Sequence, residues 1–239
     1  MKVRYLIKFS KEGSIKFVSH LDLQRTLQRN FKRSGLPVEY SKGFNPHIIM
    51  SLAQPLAVGL YSKGEYLDVS FIEEEDENII VDKLNNTAPS GIKYFKAVKL
   101  KEGTNKKVFK SMAAVAAAKY IIQIKYKSTE TENLEDELKV LLKMNNWDII
   151  KKGKKGRKNV NIKPMIKNID YSIESNLLKI NVLVSCGSIQ NLSADLLAQF
   201  IKENTSDIKE NSFVDIERQE IYGEYKNKLV ALSDYAMYV

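Results

Sequence analysis

The strongest constraint on this chain is a switch of hydrophobic period that is written out twice. Val3-Arg-Tyr-Leu-Ile-Lys-Phe9 alternates as a half-buried strand does, and Leu23, Leu27 and Phe31 then recur at helical spacing over 20–34. Ser19 stands where an N-cap is needed, and Asp22 lies in the first turn, where the positive end of the helix dipole favours it. Gly35 and then Pro37 end the helix. Residues 48–53 and 65–71 read as strands, an acidic stretch at 73–77 opens a helix carrying Ile80 and Leu84, Pro89-Ser-Gly91 stops it, and 92–100 is again a strand. The order is βαββαβ.

The second half repeats that order. Residues 119–126 alternate, and Leu134, Leu138, Leu141 and Leu142 have helical spacing. Trp147-Asp-Ile-Ile150 reads as a short strand followed by a basic loop, with the next middle strand somewhere in 159–171. Residues 177–185 form a strongly apolar strand. Ser193 caps a helix bearing Leu196, Leu197, Phe200 and Ile201, and 213–221 closes as a strand. Two successive βαββαβ units predict an α+β protein of two tandem ferredoxin-like domains, each an antiparallel sheet with helices on one face. The pattern breaks at 102–117, so the expected domains are 1–103 and 104–239.

At 239 residues and 44% hydrophobic, the chain has enough apolar material for a core. No window approaches 18 consecutive apolar residues, so no membrane span is expected, and the N-terminus lacks the continuous apolar core of a signal peptide. The single cysteine, Cys186, excludes internal disulfides and Cys-rich metal or cluster sites, and reads as a buried structural thiol. These features fit a cytoplasmic protein.

The net charge of +9 points toward an anionic partner. A Lys-, Asn- and Ile-rich chain is also what an AT-rich genome encodes, so the lysine excess says little. Arginine says more: there are six in all, and Arg25, Arg29 and Arg33 climb one helix face four residues apart. Leu23, Leu27 and Phe31 lie on the opposite side. One face therefore packs while the other presents guanidiniums, with Lys32 nearby, in the forked geometry that suits phosphate. An ordinary solvated face is the alternative. Residues 1–65 hold 11 basic and 4 acidic residues, so the positive charge concentrates in the first quarter.

Next to that helix, Tyr40-Ser-Lys-Gly-Phe-Asn-Pro-His47 mixes aromatics, cations and turn residues. Tyr40 and Phe44 offer faces for stacking on bases, with Lys42, Asn45 and His47 beside them. Tyr-Ser-Lys-Gly recurs at 61–64, and both Lys-Gly pairs read as turns with a positive φ available to Gly43 and Gly64. In the second half, Lys151, Lys152, Lys154, Lys155, Arg157 and Lys158 make a six-cation loop around Gly153 and Gly156. It reads as a second nucleic-acid contact or as a solvated hairpin tip. His20 and His47 are the sole histidines and the weak candidates for general acid or base. Asp22 is too poorly placed beside His20 for a shared metal site, so no metal is expected. The glycine spacings fit neither a Walker loop nor a dinucleotide fingerprint, and no cofactor is expected.

Residues 17–69 closely resemble the start of the radical-SAM-linked protein family, a bacterial domain of unknown function. The resemblance is carried by His20-Leu-Asp22, Gly35-Leu-Pro37, Tyr40-Ser-Lys-Gly-Phe-Asn-Pro46, Pro55-Leu-Ala-Val-Gly59 and Gly64-Glu-Tyr-Leu-Asp68. It covers about a quarter of the chain. It implies a radical SAM protein, fused or encoded alongside, as partner. The chain has no CxxxCxxC motif and so is not itself that enzyme. The tandem layout is also similar to RAMP-type RNA-binding proteins, which include CRISPR repeat endoribonucleases, though no convincing glycine-rich loop stands near the C-terminus. Three readings follow. The first is an RNA-binding accessory protein, leaning non-catalytic, that presents tRNA or rRNA to a partner enzyme. The second is a metal-independent endoribonuclease using His20 or His47 with Lys42 or Tyr40. The third is a protein-interaction module for the radical SAM subunit without nucleic acid.

Overall fold

The alternation at the N-terminus becomes β1 (Val3–Lys11) in a computed structural model of the chain. The structure describes residues 2–101, 109–127, 132–153, 156–209 and 212–238, with the backbone alone at 151–153 and 157. The protein is α+β, with a large sheet in which antiparallel pairing dominates. It divides into two compact units, residues 1–117 with 218–239 and residues 118–217. The last 22 residues thus belong with the first unit, whereas the sequence pattern places them with the second half. The physical reason is a set of long-range contacts from Arg218, Gln219 and Glu220, described below.

In unit 1, β1 is followed by α1 (His20–Ser34), β2 (Met50–Leu52), β3 (Tyr61–Phe71), α2 (Glu77–Asn86) and β4 (Tyr94–Leu100). The sheet runs β4-β1-β3, with Ile7 opposite Leu67 and Ala97. Short β2 takes the free edge of β3 along Leu67–Val69. The C-terminal strand β10 (Asp215–Tyr225) neighbours β3 as well, and β11 (Lys228–Ala231) pairs with β10 ahead of α6 (Leu232–Tyr238). Alternate residues Val3, Tyr5, Ile7 and Phe9 of β1 share one core with Leu67, Val69 and Phe71 of β3. Leu23, Leu27 and Phe31 of α1 and Ile80 and Leu84 of α2 complete it. Helix α1 begins and ends as its sequence dictates. Ser19 Oγ accepts from the Asp22 N–H at 3.2 Å, and Gly35 adopts φ +67° just past the C-terminus, a left-handed cap that glycine takes without strain.

A short helix, α3 (Ser111–Ala114), precedes β5 (Val115–Lys125). In unit 2 the sequence continues through α4 (Glu132–Lys143), the hairpin β6 (Asp148–Gly153) and β7 (Gly156–Asn161), then β8 (Ile166–Glu174), β9 (Leu177–Ser185) and α5 (Ala194–Glu203). Strands β5, β9 and β8 are neighbours in that order. Trp147 is fully buried, stacks on Phe200 with centroids 5.0 Å apart, and donates its indole N–H to the Leu141 carbonyl at 3.0 Å.

Candidate nucleic-acid interface

Helix α1 splits its residues as the spacing requires. Leu23, Leu27 and Phe31 are buried, while Arg25, Arg29, Lys32 and Arg33 are exposed. The three guanidiniums are not equivalent. Arg25 donates to Asp22 Oδ1 at 3.1 Å. The Ser19 hydroxyl, and after it Arg25, hold the Asp22 carboxyl below the usual carboxylate range, so it stays ionised and neutralises part of Arg25. Arg33 donates to the carbonyl of Thr87, the C-cap residue of α2, at 3.1 Å. This contact fixes the side chain without cancelling its charge. Arg29 has no ion pair among the described residues.

Lys32 connects this face to the next segment, with its ammonium 5.9 Å from the centre of the Tyr40 ring. Residues 38–49 form a narrow hairpin. Val38 bridges to Phe71 and Tyr40 to Ile48, and Ile48 is buried in the core. The loop is closed at Ser41 and His47. The Ser41 N–H donates to the His47 carbonyl at 2.8 Å, the His47 N–H donates to Ser41 Oγ at 3.1 Å, and that hydroxyl also meets His47 Nδ1 at 2.9 Å. Gly43 takes φ +122°, a value open to glycine. Above the latch, Lys42, Gly43, Phe44, Asn45 and Pro46 are all exposed, and the Phe44 ring is exposed completely. Ser41 escaped notice in the sequence, although a short hydroxyl side chain in a Gly/Asn/Pro turn is the usual signal for such a latch.

The two histidines do not meet. His20 begins α1 at the end of the sheet where Lys11 pairs with Ser62 and the Gly59 N–H reaches the Lys16 carbonyl. His47 lies in the hairpin at the C-terminal end of the helix, on the order of 20 Å away along the axis. No group of His, Cys, Asp and Glu among the described residues is placed to hold a metal ion.

The second Tyr-Ser-Lys-Gly is not a turn but the first four residues of β3. Gly64 lacks the positive φ expected of it, and is small for another reason: a Cβ there would lie 2.6 Å from the Gln219 carbonyl oxygen and 2.8 Å from Glu220 Cα. The next residues of that segment are occupied in the same way. Arg218 and Glu65 form a fully buried bidentate pair at 2.7 and 2.6 Å, and Arg218 also donates to the Gln54 carbonyl. Tyr66 donates to Glu220 at 2.7 Å, and Glu220 is paired with Lys8 as well. Asp68 accepts from both the N–H and hydroxyl of Ser111. Buried Lys11 donates to the carbonyls of Lys16 and Val18, and burial pushes its pKa down against the opposing pull of Glu65. Gly64–Asp68 is thus a socket for chain segments around 218–220 and 111.

In unit 2 the basic loop is a two-stranded hairpin, with Lys151 opposite Lys158, Lys152 opposite Arg157 and Gly153 opposite Gly156. Lys158 is exposed, while Lys154 and Lys155 lie outside the described residues. No helix among the described residues is long and apolar enough to cross a membrane.

One chain of a Cbf5–Nop10–Gar1 complex is similar at 11% identity and a TM-score of 0.49 over 91% of this chain. The alignment covers 48% of that chain, so the present chain spans about half its length. An unknown protein from Galdieria sulphuraria is similar at 11% identity and a TM-score of 0.27, over 91% of this chain and 98% of that one. No curated protein matches the sequence. The model of a family described as uncharacterised proteins conserved in bacteria, DUF2344, matches residues 4–194, and the chain belongs to that family.

Proposed function

We propose that this protein binds RNA through the exposed face of α1 and the adjoining 40–48 hairpin, as an accessory to a separate radical SAM modification enzyme. The supporting observation is continuity of chemistry. Arg25, Arg29 and Arg33 follow one helix face, and the contact of Lys32 with Tyr40 carries that face onto a latched loop with Lys42, Phe44, Asn45 and His47 at or near its tip. Guanidiniums suit phosphates, and exposed rings suit bases. In this reading the β6–β7 hairpin, with Lys151, Lys152, Lys154, Lys155, Arg157 and Lys158, supplies a further phosphate contact from unit 2. The radical SAM partner rests on the resemblance of residues 17–69, and nuclease-resistant co-purification with such a protein tests it.

Filter binding of small RNA against salt tests the RNA reading. Each phosphate contact adds about 0.7 to the slope of log K against log salt for single strands. Arg29→Ala with Arg33→Ala is expected to weaken binding about tenfold or more and to lower that slope, while unfolding stays cooperative and its midpoint falls only by what the exposed Arg33–Thr87 hydrogen bond contributes. Salt-independent binding, or binding indifferent to the double variant, overturns it.

A further inference from the structure

Resting on that RNA reading, we infer that the 40–48 hairpin is a base-stacking probe that selects unpaired RNA, with Phe44 as the stacking ring. Phe44 is fully exposed. A phenylalanine fully in water forgoes the stabilisation its burial would give, while Phe9, Phe31 and Phe71 of the same unit are fully buried. Phe44 is not on a loose segment. Below it, Ser41 and His47 share three hydrogen-bond contacts, Tyr40 bridges to Ile48, and Ile48 is anchored in the core. The ring is held out on a closed stem, which limits the ordering entropy lost when a ligand stacks on it.

The neighbours decide what kind of ligand. Lys42 lies two residues before Phe44, and Lys32, Arg33 and Arg29 stand on the helix that contacts the stem. The described residues of residues 40–47 include no acid, so the ring projects from a positive surface that attracts a polyanion. A base inside a duplex has both faces covered by its neighbours, and the deep major groove of A-form RNA does not admit side chains. An unpaired base offers a free face. A phenyl ring has no donor or acceptor, so it stacks on any base, and the selection is for strandedness rather than sequence. Arg29 and Arg33 hold the phosphates on one side of the stem, and the next base lies against Phe44.

The test uses the full chain with three fluorescently labelled RNAs: a single strand, a hairpin carrying the same residues in its loop, and a blunt duplex. Anisotropy titrations are expected to show the single strand and the loop binding at least tenfold more tightly than the duplex. Phe44→Ala should weaken single-strand binding about five- to a hundredfold, the range for loss of one stacked base. It should leave duplex binding and the salt slope as they are. Phe44→Trp should preserve affinity and add an exposed indole whose emission falls on binding the single strand; the other tryptophan, Trp147, is buried. If Phe44→Ala binds single strands within twofold of wild type while Arg29→Ala/Arg33→Ala weakens them, RNA binding stands and the stacking assignment falls. Equal affinity for duplex and single strand also overturns it. If no RNA binds but Phe44→Ala abolishes co-purification of a partner protein, the loop is a protein contact, and both the inference and the RNA reading fall.

Discussion

At the scale of single residues, charges in unit 1 do two different jobs, and burial separates them. Arg29 keeps its charge in water, whereas Arg218 is buried and donates to both Glu65 carboxylate oxygens and to the Gln54 carbonyl. Removing one member of such a pair leaves the other buried and uncompensated, at about 3–5 kcal/mol. Glu65→Gln is therefore expected to lower the urea-unfolding free energy by about that amount, and Glu65→Met with Arg218→Met together should cost less than either change alone. A double change costing the sum of the two would show that the two side chains do not act as a pair. Asp68 gives a pH signature. Burial raises its pKa, with the Ser111 hydrogen bonds pulling the other way, and its Oδ1 has no hydrogen-bond partner among the described residues. The folded chain therefore keeps this proton to higher pH than the unfolded chain does. Wild type should lose stability relative to Asp68→Asn as pH rises through the ordinary carboxylate value of about 4, with the difference levelling off above the folded value. Urea titrations of both proteins from pH 4 to 7 measure this, and parallel curves would contradict it.

At the scale of elements, a helix or strand was legible in sequence wherever one apolar face decided it. The limits read for α1, 20–34, are the limits observed, because a Ser19 cap, an apolar stripe of Leu23, Leu27 and Phe31 and the Gly35 end signal agree with one another. The β9 strand, 177–185, is equally plain. Legibility failed where a distant segment sets the conformation. Residues 61–64 carry turn chemistry but extend β3, since the backbone of Gln219 and Glu220 lies against Gly64. Gly64→Ala therefore tests a strand contact and not a turn: its Cβ would force β3 and β10 apart, and a loss of about 1–3 kcal/mol in unfolding free energy is expected. Ala tolerated at no cost would mean the strands yield easily. At 151–158 a solvated hairpin tip was one of the two readings; what the lysine run concealed was that strand pairing continues through it to Gly153 and Gly156, because an exposed two-stranded ribbon needs no apolar alternation. Of the candidate interface, Arg25, Arg29, Arg33 and the 40–47 loop were visible from spacing. The Lys32–Tyr40 contact and the Ser41–His47 latch were not, because they depend on how the hairpin folds back onto the helix and upon itself.

At the scale of the whole molecule, the unit that carries the candidate interface is discontinuous in sequence, and this makes a strong demand on truncated chains. Unit 1 needs residues 218–239 to finish it. Without them Glu65 keeps a buried carboxylate with no guanidinium, Tyr66 and Lys8 lose Glu220, Lys96 loses Asp234, and the Gly64 end of β3 loses the backbone packed against it. The first loss alone is about 3–5 kcal/mol against a total stability of about 5–15 kcal/mol for an ordinary domain. A fragment of residues 1–117 is accordingly expected to show no cooperative thermal or urea transition, although it holds all of α1 and the 40–48 hairpin. Joining residues 218–239 to that fragment through a flexible Gly/Ser linker should restore a cooperative transition and, with it, salt-dependent RNA binding. Fragment 1–117 unfolding cooperatively near the full-length midpoint would show that the C-terminal strand decorates a unit already complete. Recovery in the linked form, but not in a linked form carrying Arg218→Ala, would place the requirement on the buried ion pair and not on the added strand as such.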